Sequence, residues 1–144
     1  MCSVLQFILL TTLHHRINSS EPDFGVTCLH GRDECAGNVQ QLCTAKYSPS
    51  SNWWEFVQCL NYQGRDKIGS PEVALNCARA AGIDWETSGS GQCAGLDGSG
   101  KGLEGVQLLR ESIMMSRQLG IEQVTTDVNR AIIADVFVGR AARF

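Results

Sequence analysis

No basic cluster is found along this chain: twelve Lys and Arg are scattered among fifteen Asp and Glu, for a formal charge of -3. Binding to nucleic acid through phosphate neutralisation needs such a patch, so no nucleic acid partner is expected. The longest apolar run, Val4 to Leu10, is interrupted by Gln6. It is far too short to cross a bilayer, so no membrane span is expected. Residues 1–16 are not expected to act as a signal peptide of ordinary form, because no Lys or Arg precedes that run and Arg16 follows it. Proline is scarce, limited to Pro22, Pro49 and Pro71. What remains is a balance of 43% hydrophobic and 19% charged residues over 144 positions. That argues against disorder and for a single domain with one main core.

Cysteine is the residue in excess. There are seven, below the density of a mini-protein held only by disulfides but high for a cytosolic chain of this size. Cys28, Cys35, Cys43, Cys59, Cys77 and Cys93 cluster, and Cys2 stands apart. The cluster predicts a stapled subdomain formed in an oxidising compartment. Six cysteines allow fifteen complete pairings, and sequence does not choose among them.

Leu5 to Leu13 reads as a buried strand, rich in Leu, Ile and Phe with two threonines. Asn18 to Gly25 is polar, contains Pro22, and reads as a loop. Asn18-Ser19-Ser20 within it has the pattern of an N-glycosylation acceptor. A helix is expected from Asp33 to Tyr47, with Asp33 as cap and Cys35, Val39, Leu42 and Cys43 on one face. Cys35 and Cys43 lie about 12 Å apart along such a helix, so each needs a partner from elsewhere. Ser50 or Ser51 caps a second helix over 52–63, whose apolar face is Trp53, Phe56, Val57 and Leu60. Trp54 is the more exposed candidate of that aromatic group. Ser70 and Pro71 open a third helix, with Val73, Cys77 and Ala80 sharing a face and Gly82 closing it. Beyond Trp85 the chain turns glycine-rich and reads as a flexible loop. It lacks the ending and the preceding strand of a phosphate-binding loop. A long helix over 103–119 carries Val106, Leu109, Ile113 and Ser116 near one stripe, widened by Leu108 and Met115. Two strands, 121–128 and 131–138, flank Asn129-Arg130 as a hairpin.

The densest constellation is Cys28-Leu29-His30-Gly31-Arg32-Asp33-Glu34-Cys35, followed by Asn38 and Cys43. Written as a pattern it is Cys-x-His-Gly-x-x-Glu-Cys-x-x-Asn-x-x-x-x-Cys. It resembles the signature of the gamma-interferon-inducible lysosomal thiol reductase family at every fixed position but one, where the family usually has Gln and this chain has Leu29. Cys59, Cys77 and Cys93 also resemble the family spacing, and Arg110-Glu111-Ser112 is similar to the fungal branch. The resemblance covers roughly residues 15 to 130. It implies an α/β, thioredoxin-like fold with an inserted helical, disulfide-stapled subdomain. Here 1–144 would form one domain and 28–93 the insert. It implies reduction of disulfide bonds in partner proteins, in a lysosomal or vacuolar lumen or in a secreted setting, with no cofactor.

In that family the chemistry lies in a Cys-x-x-Cys at a helix N-terminus ahead of the signature, where the helix dipole favours the attacking thiolate. No two of the seven cysteines here are three apart, and Leu5 stands three residues after Cys2. Proline is missing just before the expected hairpin, where thioredoxin-like enzymes place a cis-proline, and Val124 stands where fungal members tend to carry cysteine. The expectation is therefore a family member truncated at its N-terminus, with an incomplete fold, no catalytic residue of its own, and an exposed sheet edge open to self-association.

Within the signature, His30 is expected to bond locally, Gly31 to supply a backbone angle other residues resist, and Glu34 and Asn38 to share a helical face. A zinc site on Cys28, His30, Cys35 and Cys43 has the right atom types and the wrong spacing, so no metal is assigned. The alternative from another class is a non-catalytic, secreted, cysteine-rich binding module using Trp53 and Trp54.

Overall fold

A computed structural model describes residues 16–118. The strand expected at 5–13 and the hairpin expected at 121–138 lie outside the described residues. The described part is mostly helical, with a two-stranded antiparallel sheet. The strands are β1 (Arg16–Ile17) and β2 (Val26–Thr27), with Arg16 opposite Thr27 and Ile17 opposite Val26. They bracket the loop expected at 18–25, so that loop is the connection of a small hairpin the sequence reading did not anticipate.

Five helices follow: α1 (Arg32–Tyr47), α2 (Ser50–Gln63), α3 (Pro71–Ala80), α4 (Ser90–Ala94) and α5 (Leu103–Gln118). A single 3-10 turn, Arg65–Lys67, joins α2 to α3. Helix α1 packs against α2, α4 and α5, while α3 packs on α2. Strand β2 rests on α1, and β1 on α5.

The first correction concerns α1. The sequence predicts one apolar face, yet Cys35 to Thr44 are buried without a break. The helix is surrounded, so its polar positions need internal partners. Gln40 donates through Nε2 to the carbonyls of Gly69 (3.2 Å) and Gly98 (2.7 Å). Thr44 donates to the carbonyls of Gln40 or Gln41, each at 3.0 Å. One amide therefore fixes two surrounding loops to the central helix.

The second correction concerns the glycine-rich segment. It contains α4 and is closely packed, not a flexible loop. The Gly102 amide bonds the Ala94 carbonyl (3.1 Å), and Trp85 Nε1 donates to the Gly95 carbonyl (3.0 Å). Gly100 has φ +71 and lies so near α1 that a Cβ would come within 2.6 Å of the Ala36 carbonyl oxygen. Glycine content here reflects close approach of backbones.

The faces also shift. On α2 the expected Trp53, Phe56, Val57 and Leu60 are the buried residues, and Phe56 meets Trp85 at 6.4 Å between ring centres. Helix α2 starts at Ser50, ahead of the expected 52. On α3 the buried set is Ala74, Cys77 and Ala78, and Ala80 is exposed. On α5 it is Gly105, Leu109, Ser112, Ile113 and Ser116, with Met115 exposed. Ser70 precedes Pro71 as expected, but neither its hydroxyl nor the side chain of Asp33, Ser50 or Ser51 caps a helix: the caps of α1 and α2 are Gly31 and Pro49, and none of the three has a side-chain cap bond. Helix α3 does end as expected. The Ile83 amide bonds the Ala78 carbonyl (2.8 Å) and the Gly82 amide bonds Arg79 (3.1 Å), with Gly82 at φ +67, a Schellman closure.

Candidate functional site

The signature residues sit where β2 gives way to α1. Cys28 follows β2 directly, and Cys35 lies in the first turns of α1. The two form a disulfide, Cα–Cα 5.7 Å, that closes the loop between them. Both are buried, at 4% and 1% exposure. The Gly31 amide bonds the Cys28 carbonyl at 3.2 Å, which makes the loop a tight turn.

Gly31 is the N-cap of α1, with φ 96 and ψ -169. Only glycine holds that conformation readily. Nothing lies within 4 Å of where its Cβ would be, so the constraint is the backbone angle and not space. Glu34 reaches back over the turn. Its Oε2 accepts the His30 amide at 2.7 Å, and its Oε1 lies 3.3 Å from His30 Nδ1. This is a capping-box arrangement displaced by one residue, with an acidic side chain in the first helical turn where the dipole favours it. His30 thus bonds locally. Asn38 is buried in the surround of α1 and does not face solvent with Glu34. The exposed tip of the loop is Leu29 and His30, with Leu29 at 60%.

An ion-pair network anchors this turn from outside. Arg32 pairs through Nε with Glu21 Oε1 (2.9 Å) and through a terminal nitrogen with Asp23 Oδ2 (3.4 Å). Lys101 reaches the same Asp23 oxygen at 3.1 Å. Glu21 Oε2 also accepts the amides of Asp23 (3.0 Å) and Phe24 (2.5 Å). The hairpin connection, the signature helix and the glycine-rich segment therefore meet at one place. The sequence reading missed Glu21, Asp23 and Lys101, and no local pattern marks partners so far apart along the chain.

The other signature cysteine, Cys43, pairs with Cys93 (Cα–Cα 5.6 Å) and ties α1 to α4. Cys59 pairs with Cys77 (5.5 Å) and ties α2 to α3. All six clustered sulfurs are thus joined in three bridges. Cys28, Cys35 and Cys43, weighed as zinc ligands, are disulfide sulfurs and not thiolates. Among the described residues, no group of three or more His, Cys, Asp or Glu is placed to hold a metal ion. No described helix is long and apolar enough to cross a membrane. Of the tryptophan pair, Trp53 is buried and Trp54 is 45% exposed.

At the far end of α1 a second cluster joins helices. Lys46 Nζ (2.5 Å) and the Tyr47 hydroxyl (2.7 Å) both donate to Glu104 Oε1 in the first turn of α5. The hydrogen bonds from Lys46 and then Tyr47 hold the Glu104 carboxyl below its ordinary range. Glu104 in turn raises Lys46 and Tyr47 above theirs, chiefly through the same bonds.

No curated protein and no solved structure matches this chain. A family model does, over residues 3–81: Gamma interferon inducible lysosomal thiol reductase (GILT). The matched stretch holds the whole signature, the Cys28–Cys35 bridge and the Cys59–Cys77 bridge, and stops short of Cys93. More than half of the 144 residues are matched, and the chain belongs to the gamma-interferon-inducible lysosomal thiol reductase family.

Proposed function

We propose that this polypeptide supplies the disulfide-stapled helical part of a thiol reductase and does not itself carry the reactive dithiol. The observation that carries this is the pairing of all six clustered cysteines, with Cys28, Cys35, Cys43, Cys77 and Cys93 buried. Reduction of a protein disulfide needs a thiolate that can reach the substrate sulfur and a second thiol to resolve the mixed disulfide. The buried cystines offer neither, and partly exposed Cys59 is bridged to buried Cys77. Cys2 is the seventh sulfur, and no cysteine lies three residues from it.

In this reading residues 28–93, which hold α1, α2, α3 and most of α4, form the insert of a thioredoxin-like fold, and α5 lies outside it. The signature is architectural. Its cysteines bolt the start of α1 to β2 and the middle of α1 to α4, while Gly31 and Glu34 shape the turn between. Family membership gives disulfide-containing proteins as the substrate class of the complete activity. It also supports an oxidising lumen, lysosomal, vacuolar or extracellular, as the setting.

The test is an insulin-reduction assay with dithiothreitol on the purified 144-residue chain. The expected result is turbidity development no faster than the dithiothreitol blank. Turnover above the blank that a Cys2→Ser change abolishes would overturn the proposal.

A further inference from the structure

Asn18-Ser19-Ser20 is the one Asn-x-Ser/Thr tripeptide in the chain, and the structure places it in the exposed connection between β1 and β2. All three residues are exposed. The Asn18 side chain is held in an Asx turn, with Oδ1 accepting the Ser20 amide at 3.1 Å. Its Nδ2 donates to Thr27 Oγ1 at 3.1 Å across the hairpin. The backbone is fixed as well: the Asn18 amide bonds the Gly25 carbonyl (2.9 Å) and its carbonyl accepts the Glu21 amide (3.0 Å).

We infer that Asn18 is an N-glycosylation site, modified by a lipid-pyrophosphate-linked oligosaccharide donor. In that transfer the Asn18 Nδ2–C1 bond forms and the C1–O bond to pyrophosphate breaks. One amide proton is lost, and the lipid pyrophosphate leaves. No oxidant or reductant takes part. A substituted Nδ2 keeps one hydrogen. Oδ1 is unchanged, so the Asx turn survives. The Asx turn and the backbone bonds of the loop are therefore compatible with the product. The exposed Ser19 and Ser20 leave room beside the amide. The other asparagines lack a hydroxyl residue two positions on, and Asn38 is buried as well. The inference rests on the lumenal setting proposed above, because the donor is found on that side of the membrane.

The experiment expresses the full chain behind a cleavable secretion leader in yeast and analyses total cellular and secreted protein. Glycosidase treatment in heavy-oxygen water converts a glycosylated asparagine to labelled aspartate. The expected result is labelled aspartate at position 18 alone, one mobility step removed by the glycosidase, and loss of both in Asn18→Gln and in Ser20→Ala. Non-reducing peptide mapping of the same protein reports entry into the lumen through its three disulfides. An unmodified Asn18 in protein whose three disulfides have formed would overturn the inference. The insulin assay is independent of this outcome, so the two proposals fail separately.

Discussion

Gly31 shows how a single position in the signature acts through the backbone alone. Its φ of 96 with ψ -169 lies in a region closed to side chains, while the space around it is empty. Gly31→Ala should therefore cost about 1–3 kcal/mol, the range for a residue forced into such a conformation, with no clash to relax. Urea denaturation checks this: the midpoint falls and the slope holds. A change within a few tenths of a kcal/mol would show that the turn adapts. Local bonding of His30 was legible at this scale, but its partner Glu34 was not, because His30 stands ahead of the helix and the Glu34 side chain reaches back across the Gly31 cap. Nor was the burial of Gln40. Its acceptors, on Gly69 and Gly98, lie 29 and 58 residues away, and local pattern carries no trace of them.

Among the elements, four of the five helices could be read from apolar spacing and from the Pro71 and Gly82 punctuation. Helix α4 could not. It has five residues, Ser90–Ala94, with no apolar period, and the Cys43–Cys93 bridge and its packing on α1 and α5 hold it in place. Gly105 marks how close these helices come. Alanine in place of an exposed helical glycine gains about 1 kcal/mol. At Gly105 a Cβ would fall 2.5 Å from Val39 Cγ1, 2.7 Å from Cys43 Sγ and 2.8 Å from the Cys93 carbonyl oxygen. Overpacking of that kind costs about 1–3 kcal/mol, so Gly105→Ala should destabilise despite the better helix propensity. Thermal melting of the variant reads the sign.

The Glu104 cluster gives the α1–α5 contact a pH window. Glu104 is held below its ordinary pKa, so its stabilisation is present above the usual carboxylate range and is lost as pH falls through the lowered value. Lys46 and Tyr47 are raised, so theirs is present below their ordinary values and is lost as pH rises through the raised ones. The difference in Tm between the parent and Lys46→Met should be flat from about pH 5 to about pH 9 and shrink on both sides. A difference that varies steadily across that window would assign the effect elsewhere.

For the molecule as a whole, the three bridges are unequal staples. Sequence separations of 50, 18 and 7 for Cys43–Cys93, Cys59–Cys77 and Cys28–Cys35 correspond to about 4, 3 and 2 kcal/mol of unfolded-state entropy. Replacing both cysteines of a pair with alanine should lower stability in that order, as read by denaturant titration. Equal losses would mean that native packing around the sulfurs, and not chain entropy, sets their worth. The stapled character was legible from cysteine clustering, but the choice among fifteen pairings needed the fold. The central claim is that these sulfurs are structural and that the reactive pair of the family is not among them. Alkylation of the non-reduced, denatured 144-residue chain, read by peptide mass mapping, tests it most directly. The account predicts label on Cys2 only, with the other six recovered as Cys28–Cys35, Cys43–Cys93 and Cys59–Cys77. Label on any of those six, or a bridge from Cys2 to one of them, would contradict it.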